Sequence, residues 1–98
     1  MKVETLTVGP LAENCFIVFD ENSKDAVVID PGADGNFILD ELKDLDVKAI
    51  LATHGHLDHV SQVGYLKEKL TVLFYMNKKD EFLINNEIFP NFAYIVKL

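Results

Sequence analysis

The chain has few of the features that mark exported or membrane-inserted proteins. It has a single cysteine, Cys15, so no disulfide can form within it. Lys2 to Val8 alternates apolar and polar residues, and no long apolar run follows. We therefore expect no signal peptide and no membrane-spanning segment. Together these absences predict a cytoplasmic protein.

Positive charge is also scarce. Nine basic residues stand against 16 acidic ones, which gives a formal net charge of −7. Nucleic acids and anionic membrane surfaces carry the same sign of charge and would repel such a chain. We therefore expect neither a nucleic-acid partner nor a membrane partner, whereas cations would be attracted.

The composition suits one domain covering residues 1–98. Hydrophobic residues make up 49% of the 98 residues, which is enough for a core. We find no internal repeat, low-complexity segment or linker. Periodicity predicts strands first and then alternating helices and strands. The predicted strands are Lys2 to Val8, Asn14 to Phe19, Ala26 to Ile29, Val47 to Ala52 and Thr71 to Met76.

Short turns join the first three predicted strands, which favours an antiparallel meander. A helix capped by Asp34 or Asn36 is expected next, with Phe37, Ile38, Leu42 and Leu45 at helical spacing. Further helices are predicted from Ser61 to Leu70 and from Asn77 to Leu83 or Ile84. The apolar tail, Ile88 to Leu98, should either close over the sheet or pair with another chain.

All three histidines lie in one short segment, Thr53-His54-Gly55-His56-Leu57-Asp58-His59. In an extended stretch, side chains alternate, so His54 and His56 point to one side and can bind one ion. Asp58 and His59 follow where the chain must turn. Imidazole and carboxylate are ligands that zinc or iron selects. The segment directly follows an apolar strand, so a metal site is favoured over a merely polar loop.

Three stretches carry a family resemblance, namely Gly9 to Cys15, Val28 to Gly32 and Thr53 to His59. In this order and at these distances they resemble the amino-terminal half of metallo-β-lactamase-superfamily hydrolases. The glyoxalase II-like (hydroxyacylglutathione hydrolase-like) branch is the most similar. The resemblance implies an α/β fold that is half of an αββα sandwich, with a mixed sheet and helices on one face.

The resemblance also implies roles for the residues of the motif. His54 and His56 would hold a first metal ion, and Asp58 and His59 a second, which makes Asp58 a catalytic residue as well. Hydroxide shared by the ions would attack the carbonyl of a small thioester or ester substrate. One or two zinc ions are expected, with iron or manganese as alternatives.

Asp30, at the end of its strand, has two open interpretations. Its carboxylate either supports a metal ligand and orients it, or simply binds backbone amides of the turn before Gly32. Cys15 lies in an apolar strand with no spare histidine to activate it. We therefore expect it to be a small core residue rather than a nucleophile.

The chain departs from the family pattern in two places. It has no histidine after His59, whereas the family draws further ligands from a second half. This predicts either a homodimer or a complementary carboxyl-terminal half as partner. The second departure is Ser61-Gln62, which stands where the family commonly has two glycines. Ser61 is instead expected to cap the following helix.

Several functions therefore remain open. The first is a metal-dependent hydrolase that needs a second half or second chain. Alternatives are a non-catalytic metal-binding half-domain, a homodimeric assembly module, or a scaffold fragment without metal. A single-iron sulfur dioxygenase of the same superfamily is a further enzyme hypothesis.

Overall fold

The computed structural model describes residues 1–53, 62–76 and 95–97. These residues form six strands and two helices. The strands are β1 (Lys2–Val8), β2 (Glu13–Phe19), β3 (Asp25–Ile29), β4 (Asp46–Leu51), β5 (Leu73–Met76) and β6 (Ile95–Lys97). The helices are α1 (Gly35–Glu41), between β3 and β4, and α2 (Val63–Leu70), before β5.

The strands form one sheet in chain order, β1-β2-β3-β4-β5-β6. The first three strands pair antiparallel, which confirms the predicted meander. From β3 to β6 each pair is parallel, so the sheet is mixed. A parallel pair needs a long crossover connection, and α1 fills that connection between β3 and β4.

The core lies on one face of the sheet, between the strands and the helices. Alternate residues of each strand point to this face because successive side chains in a strand project to opposite sides. The core side chains of the strands include Leu6, Ile17, Val28, Ile50 and Phe74, and those of the helices include Ile38, Val63 and Leu66. Ile17, Val28, Ile50 and Phe74 are fully buried. A mixed sheet with its helices on one face is the predicted fold.

The structure corrects three details of the predicted helices and strands. Helix α1 ends at Glu41, so Leu42 and Leu45 follow it rather than belong to it, although Leu42 is still buried. Asp34 occupies the N-cap position of α1 but makes no side-chain cap bond, because its carboxylate accepts a hydrogen bond from Gly9 instead. Strand β5 begins at Leu73 because Thr71 is left-handed and ends α2.

Some predicted elements fall outside the described residues. The helix from Asn77 to Leu83 or Ile84 lies there. The predicted Ser61 cap and helix start are wrong, because α2 begins at Val63 and Gln62 holds its N-cap position. Most of the tail from Ile88 also lies outside the described residues. Of that tail, Ile95–Lys97 forms β6 beside β5. Within the described segments, no helix has the length and apolar character needed to cross a membrane.

Helix α1 offers a matched pair of neighbouring apolar residues that tests the core. Ile38 is fully buried, whereas Phe37 is 45% exposed. We expect Ile38→Ala to lower the free energy of unfolding by about 2–5 kcal/mol, because it leaves a cavity. The control Phe37→Ala should cost less than about 1 kcal/mol. Urea unfolding followed by circular dichroism measures both, and equal losses would contradict the assigned core face.

Candidate metal centre

The candidate site lies at the edge of the sheet where the parallel strands end. Strands β3, β4 and β5 run in one direction, and β1 shares it because β2 is antiparallel to both β1 and β3. Asp30 follows β3 and Thr53 follows β4. In open α/β sheets, ligands bind at this carboxyl edge. Positions 54–61, which we name the histidine segment, directly follow Thr53 in the sequence.

Asp30 connects the ends of the two central strands. Its Oδ1 accepts a hydrogen bond from the Thr53 backbone N–H at 2.7 Å, and its Oδ2 accepts one from Thr53 Oγ1 at 2.6 Å. Asp30 is 3% exposed, and its own N–H donates to the Leu51 carbonyl. Hydrogen bonds to an ionised acceptor are short and strong. The two bonds to Asp30 therefore fix Thr53, the residue that immediately precedes His54.

The far end of the histidine segment is held by the same turn. The backbone N–H of Gln62 donates to the Pro31 carbonyl at 3.0 Å, just before α2 begins. Pro31 is fully buried. Residues 30 and 31 therefore anchor both Thr53 and Gln62, the described residues on either side of positions 54–61. A segment whose flanking residues are fixed loses less conformational freedom when it binds a ligand.

A second contact joins this turn to the hairpin between β1 and β2. The N–H of Gly9 donates to Asp34 Oδ2 at 2.9 Å. Gly9 has φ +73°, and a Cβ added there would lie 2.8 Å from the Ala33 Cβ. Only glycine combines that backbone conformation with so close an approach. The Gly9-Pro10 break therefore has a packing role at the same edge.

Helices α1 and α2 flank an open cleft of about 550 Å³ beside this edge. Its lining consists of Asp34, Gly35, Asn36, Phe37, Gln62 and Tyr65. The Tyr65 hydroxyl donates to Asn36 Oδ1. A Cβ on Gly35 would collide with Gln62 and approach Tyr65 Cδ2 to 2.8 Å, so glycine lets the helices meet. The sequence patterns did not predict this cleft.

The predicted ligands His54, His56, Asp58 and His59 lie outside the described residues. Asp30 is described, and it contacts Thr53 as set out above. Among residues 1–53, 62–76 and 95–97, no group of three or more histidine, cysteine, aspartate or glutamate side chains could hold a metal ion. The metal prediction therefore still depends on the chemistry of the histidine segment.

Cys15 is a core residue, as predicted. Its side chain is fully buried in the helix-facing core. Burial, and to a lesser degree the negative charge of Asp30, together raise the pKa of the thiol to about 12. The thiolate is the reactive form of cysteine, and it is almost absent near neutral pH at such a pKa. Cys15 is therefore not a nucleophile of the site.

The chain belongs to the metallo-β-lactamase superfamily. The model of that family matches residues 8–96. Among solved structures, the B3 metallo-β-lactamase BLEG-1 superposes with a TM-score of 0.80 at 25% identity, covering 98% of this chain and 49% of that one. The predicted family and fold, half of an αββα sandwich, are thereby confirmed.

Two relatives in the family are longer than this chain. An uncharacterised protein of Aquifex aeolicus is 55% identical over 93 residues, covering 95% of this chain and 44% of the relative. The hydroxyacylglutathione hydrolase GloC of Haemophilus influenzae is 36% identical over 89 residues, covering 88% and 42%. The chain thus spans less than half the length of these relatives.

A further solved structure shows metal in a related protein. TTHA1623, in a di-iron-bound form, superposes with a TM-score of 0.73 at 36% identity, covering 82% of this chain and 40% of that one. Members of the superfamily therefore bind metal ions.

The contact between Asp30 and Thr53 can be tested through the hydroxyl. We expect Thr53→Val to lower the free energy of unfolding by about 1–2 kcal/mol, because a bond to a charged acceptor is lost. Thr53→Ser keeps the hydroxyl and is the matched control, expected within about 0.5 kcal/mol of the unmodified chain. Urea unfolding measures both. Unchanged stability of Thr53→Val would show that the bond is not structural.

The burial of Cys15 can be tested by alkylation. At pH 8 the folded chain should react with iodoacetamide at least roughly 100-fold more slowly than the chain in urea, because the folded thiol stays protonated. Since its pKa is raised to about 12, the rate should rise only as the pH approaches that value. Mass spectrometry of timed samples measures the rates, and equal rates would contradict the buried position.

Proposed function

We propose that this chain is the metal-binding part of a glyoxalase II-like hydrolase that cleaves a small thioester or ester. The observation that carries the proposal is that Asp30 and Pro31 anchor the two ends of the histidine segment at the carboxyl edge of this fold. The 36% identity to a hydroxyacylglutathione hydrolase supports the same reaction class. In the reaction, water adds to the carbonyl carbon and the carbon–sulfur or carbon–oxygen bond breaks. The products are an acid and a thiol or alcohol.

The donor set suits one or two divalent metal ions. His54 and His56 would hold one ion, and Asp58 and His59 the other. Three imidazoles and a carboxylate within six consecutive residues are a typical ligand set for zinc and iron. Zinc is the first choice because of the ligand chemistry. The di-iron form of a related structure supports iron as the second choice, and manganese is the third choice. When bound, such ions lower the pKa of water and polarise the carbonyl.

The chain's own residues would position this ligand set. The Asp30 carboxylate holds the Thr53 amide and hydroxyl, and Thr53 is adjacent to His54. Groups that hydrogen-bond to a metal ligand affect metal affinity about 10–100-fold. Asp30 would act one residue further away, through Thr53. Asp30 therefore serves as a positioning residue. We choose the positioning role over the role of binding amides in the turn before Gly32, because Thr53, which Asp30 contacts, lies outside that turn.

The ligand set would be completed by a second polypeptide segment. A catalytic zinc site usually has three protein ligands plus water, and each proposed pair here supplies two. No histidine follows His59 in the sequence. The partner would be either a second copy of the chain or a complementary carboxyl-terminal half. The net charge of −7 and the single buried cysteine support a cytoplasmic protein without nucleic-acid or membrane partners.

A second candidate is a non-catalytic metal-binding half-domain that acts as an assembly module. The observation that favours it is the ligand count, because each proposed pair supplies two protein ligands, whereas a catalytic zinc site usually has three plus water. Both candidates require metal, and a hydrolysis assay separates them.

Metal retention followed by hydrolysis tests the proposal. The full chain, dialysed after loading with zinc or iron, should retain about one or two ions per chain. Asp58→Ala should lose at least one ion, and His56→Ala should lose retention more fully. Asp40→Ala removes an exposed carboxylate on α1 and is the matched control, with unchanged metal content. Elemental mass spectrometry measures the ions.

The hydrolysis assay uses a hydroxyacyl thioester of glutathione and detects the released thiol. Metal-dependent release that Asp58→Ala reduces by about 100-fold or more supports the hydrolase. Retained metal without hydrolysis supports the half-domain instead. Full metal content in both Asp58→Ala and His56→Ala would overturn both candidates.

A further inference from the structure

Helices α1 and α2 meet at the residue that follows the histidine segment. Gly35 and Asn36 are the first residues of α1. Gln62 holds the N-cap position of α2, and Tyr65 lies in the first turn of that helix. The Tyr65 hydroxyl donates a hydrogen bond to Asn36 Oδ1, and these two residues lie 29 positions apart in the sequence. We name the contact of these four residues the helix junction.

Gly35 sets how closely the two helices approach. It is buried, and a Cβ added to it would collide with the Gln62 side chain and lie 2.8 Å from Tyr65 Cδ2. The flexible Gln62 side chain could move aside at little cost. The Tyr65 ring has less freedom, because Asn36 accepts its hydroxyl hydrogen and the Lys69 ammonium lies 5.8 Å from the ring centroid. Gly35→Ala should therefore displace the first turn of α2. Gly35 does not have a positive φ, so this substitution changes the spacing without adding backbone strain.

A different contact anchors the chain on each side of the histidine segment. Thr53, which precedes the segment, is held by the Asp30 carboxylate. Gln62, which follows the segment, is held by the Pro31 carbonyl and packs in the helix junction. The two anchors share no hydrogen bond. A substitution at one anchor can therefore leave the other in place.

We propose that the helix junction positions the later pair of metal ligands, Asp58 and His59. This inference rests on the proposed function. The two ligands precede Gln62 by four and three positions in the sequence. A chain spans at most about 3.3–3.6 Å per residue, so a displacement of Gln62 is passed on over a short length of chain. Gly35 and Tyr65 are then positioning residues, which act on the ion through Gln62 and do not bind it.

The earlier pair of ligands, His54 and His56, follows the other anchor. They lie one and three positions after Thr53, which Asp30 holds. A change in the helix junction should leave this pair in place, whereas a change at Thr53 should disturb this pair first. Each ion would thus depend on its own anchor, and opposite variants can weaken the two ions separately.

Zinc titration of the full chain against a chromophoric chelator gives a dissociation constant for each bound ion. Asp58→Ala identifies the ion of the later pair, because it should remove that ion. Gly35→Ala should raise the dissociation constant of the same ion about 10-fold and change that of the other ion less than about 2-fold. Thr53→Val should give the opposite pattern. A general loss of stability would not produce this crossover.

Two further variants separate positioning from stability. Tyr65→Phe keeps the ring beside Gly35 and removes only the hydroxyl that binds Asn36. It should weaken the later ion about 2–5-fold, because one neutral hydrogen bond contributes modestly, and it decides the test if Gly35→Ala does not fold. Ile38→Ala is the control, because it removes a core side chain from the same helix outside the junction. It should weaken the two ions equally.

The outcomes distinguish this inference from the proposed function. Equal weakening of both ions by Gly35→Ala and Tyr65→Phe would overturn the inference, because the effect would then be one of stability. Unchanged zinc binding in both variants would also overturn it, as would an unmodified chain that holds only the ion remaining in Asp58→Ala. The metal-binding proposal survives these three results. A metal-free unmodified chain instead overturns the proposed function, and this inference with it.

Discussion

The two hydrogen bonds from Thr53 to the Asp30 carboxylate are the contact on which the arrangement of the site depends. They join positions 23 residues apart at the ends of two parallel strands. Asp30 also binds the Leu51 carbonyl through its own N–H. The end of β3 and the end of β4 are thus held in one fixed relation.

The turn that contains Asp30 uses a strained backbone to reach this position. Asp30 and Asp34 have φ values of 58° and 55°, in the left-handed region that most residues avoid. Aspartate tolerates this conformation better than bulkier residues because its short side chain can hydrogen-bond locally. Here the two carboxylates bind other parts of the chain, Thr53 and Gly9 respectively. These two residues with left-handed backbone thereby connect three segments at one edge of the sheet. The segments are the hairpin loop at Gly9, the turn after β3 and the chain at Thr53.

The strands were predictable because they follow simple alternation, and Leu6, Ile17 and Val28 alternate with half-buried or exposed neighbours in the structure. The helix ends were not. Leu42 and Leu45 continue the helical spacing, but α1 ends at Glu41. Their periodicity reflects burial against the core, which does not require a helix. Spacing alone cannot distinguish the two cases.

The metal site stays a prediction from side-chain chemistry, whereas the contacts on either side of the histidine segment could not be predicted from the sequence. The spacing of His54, His56 and Asp58 indicates a metal site through the properties of the side chains themselves. The pairing of Asp30 with Thr53 depends on which strands are neighbours, and no local pattern encodes that. Asp34 shows the same limit. Aspartate is a common helix-capping residue, but the Asp34 carboxylate accepts a hydrogen bond from Gly9, which lies 25 positions away in the sequence. Local sequence thus specifies which groups are present, and the sheet order specifies which of them meet.

The two faces of the sheet explain why half of a larger fold can still have an ordered core. The helix-facing side buries Ile17, Val28, Ile50 and Phe74 completely without help from another chain. The sheet face without helices contributes little to that core, so its exposure does not prevent α1 and α2 from packing. Its exposed apolar area still carries a hydration cost, which falls when a second layer covers it. One sheet thus carries both the buried core and, at its carboxyl edge, the contact between Asp30 and Thr53.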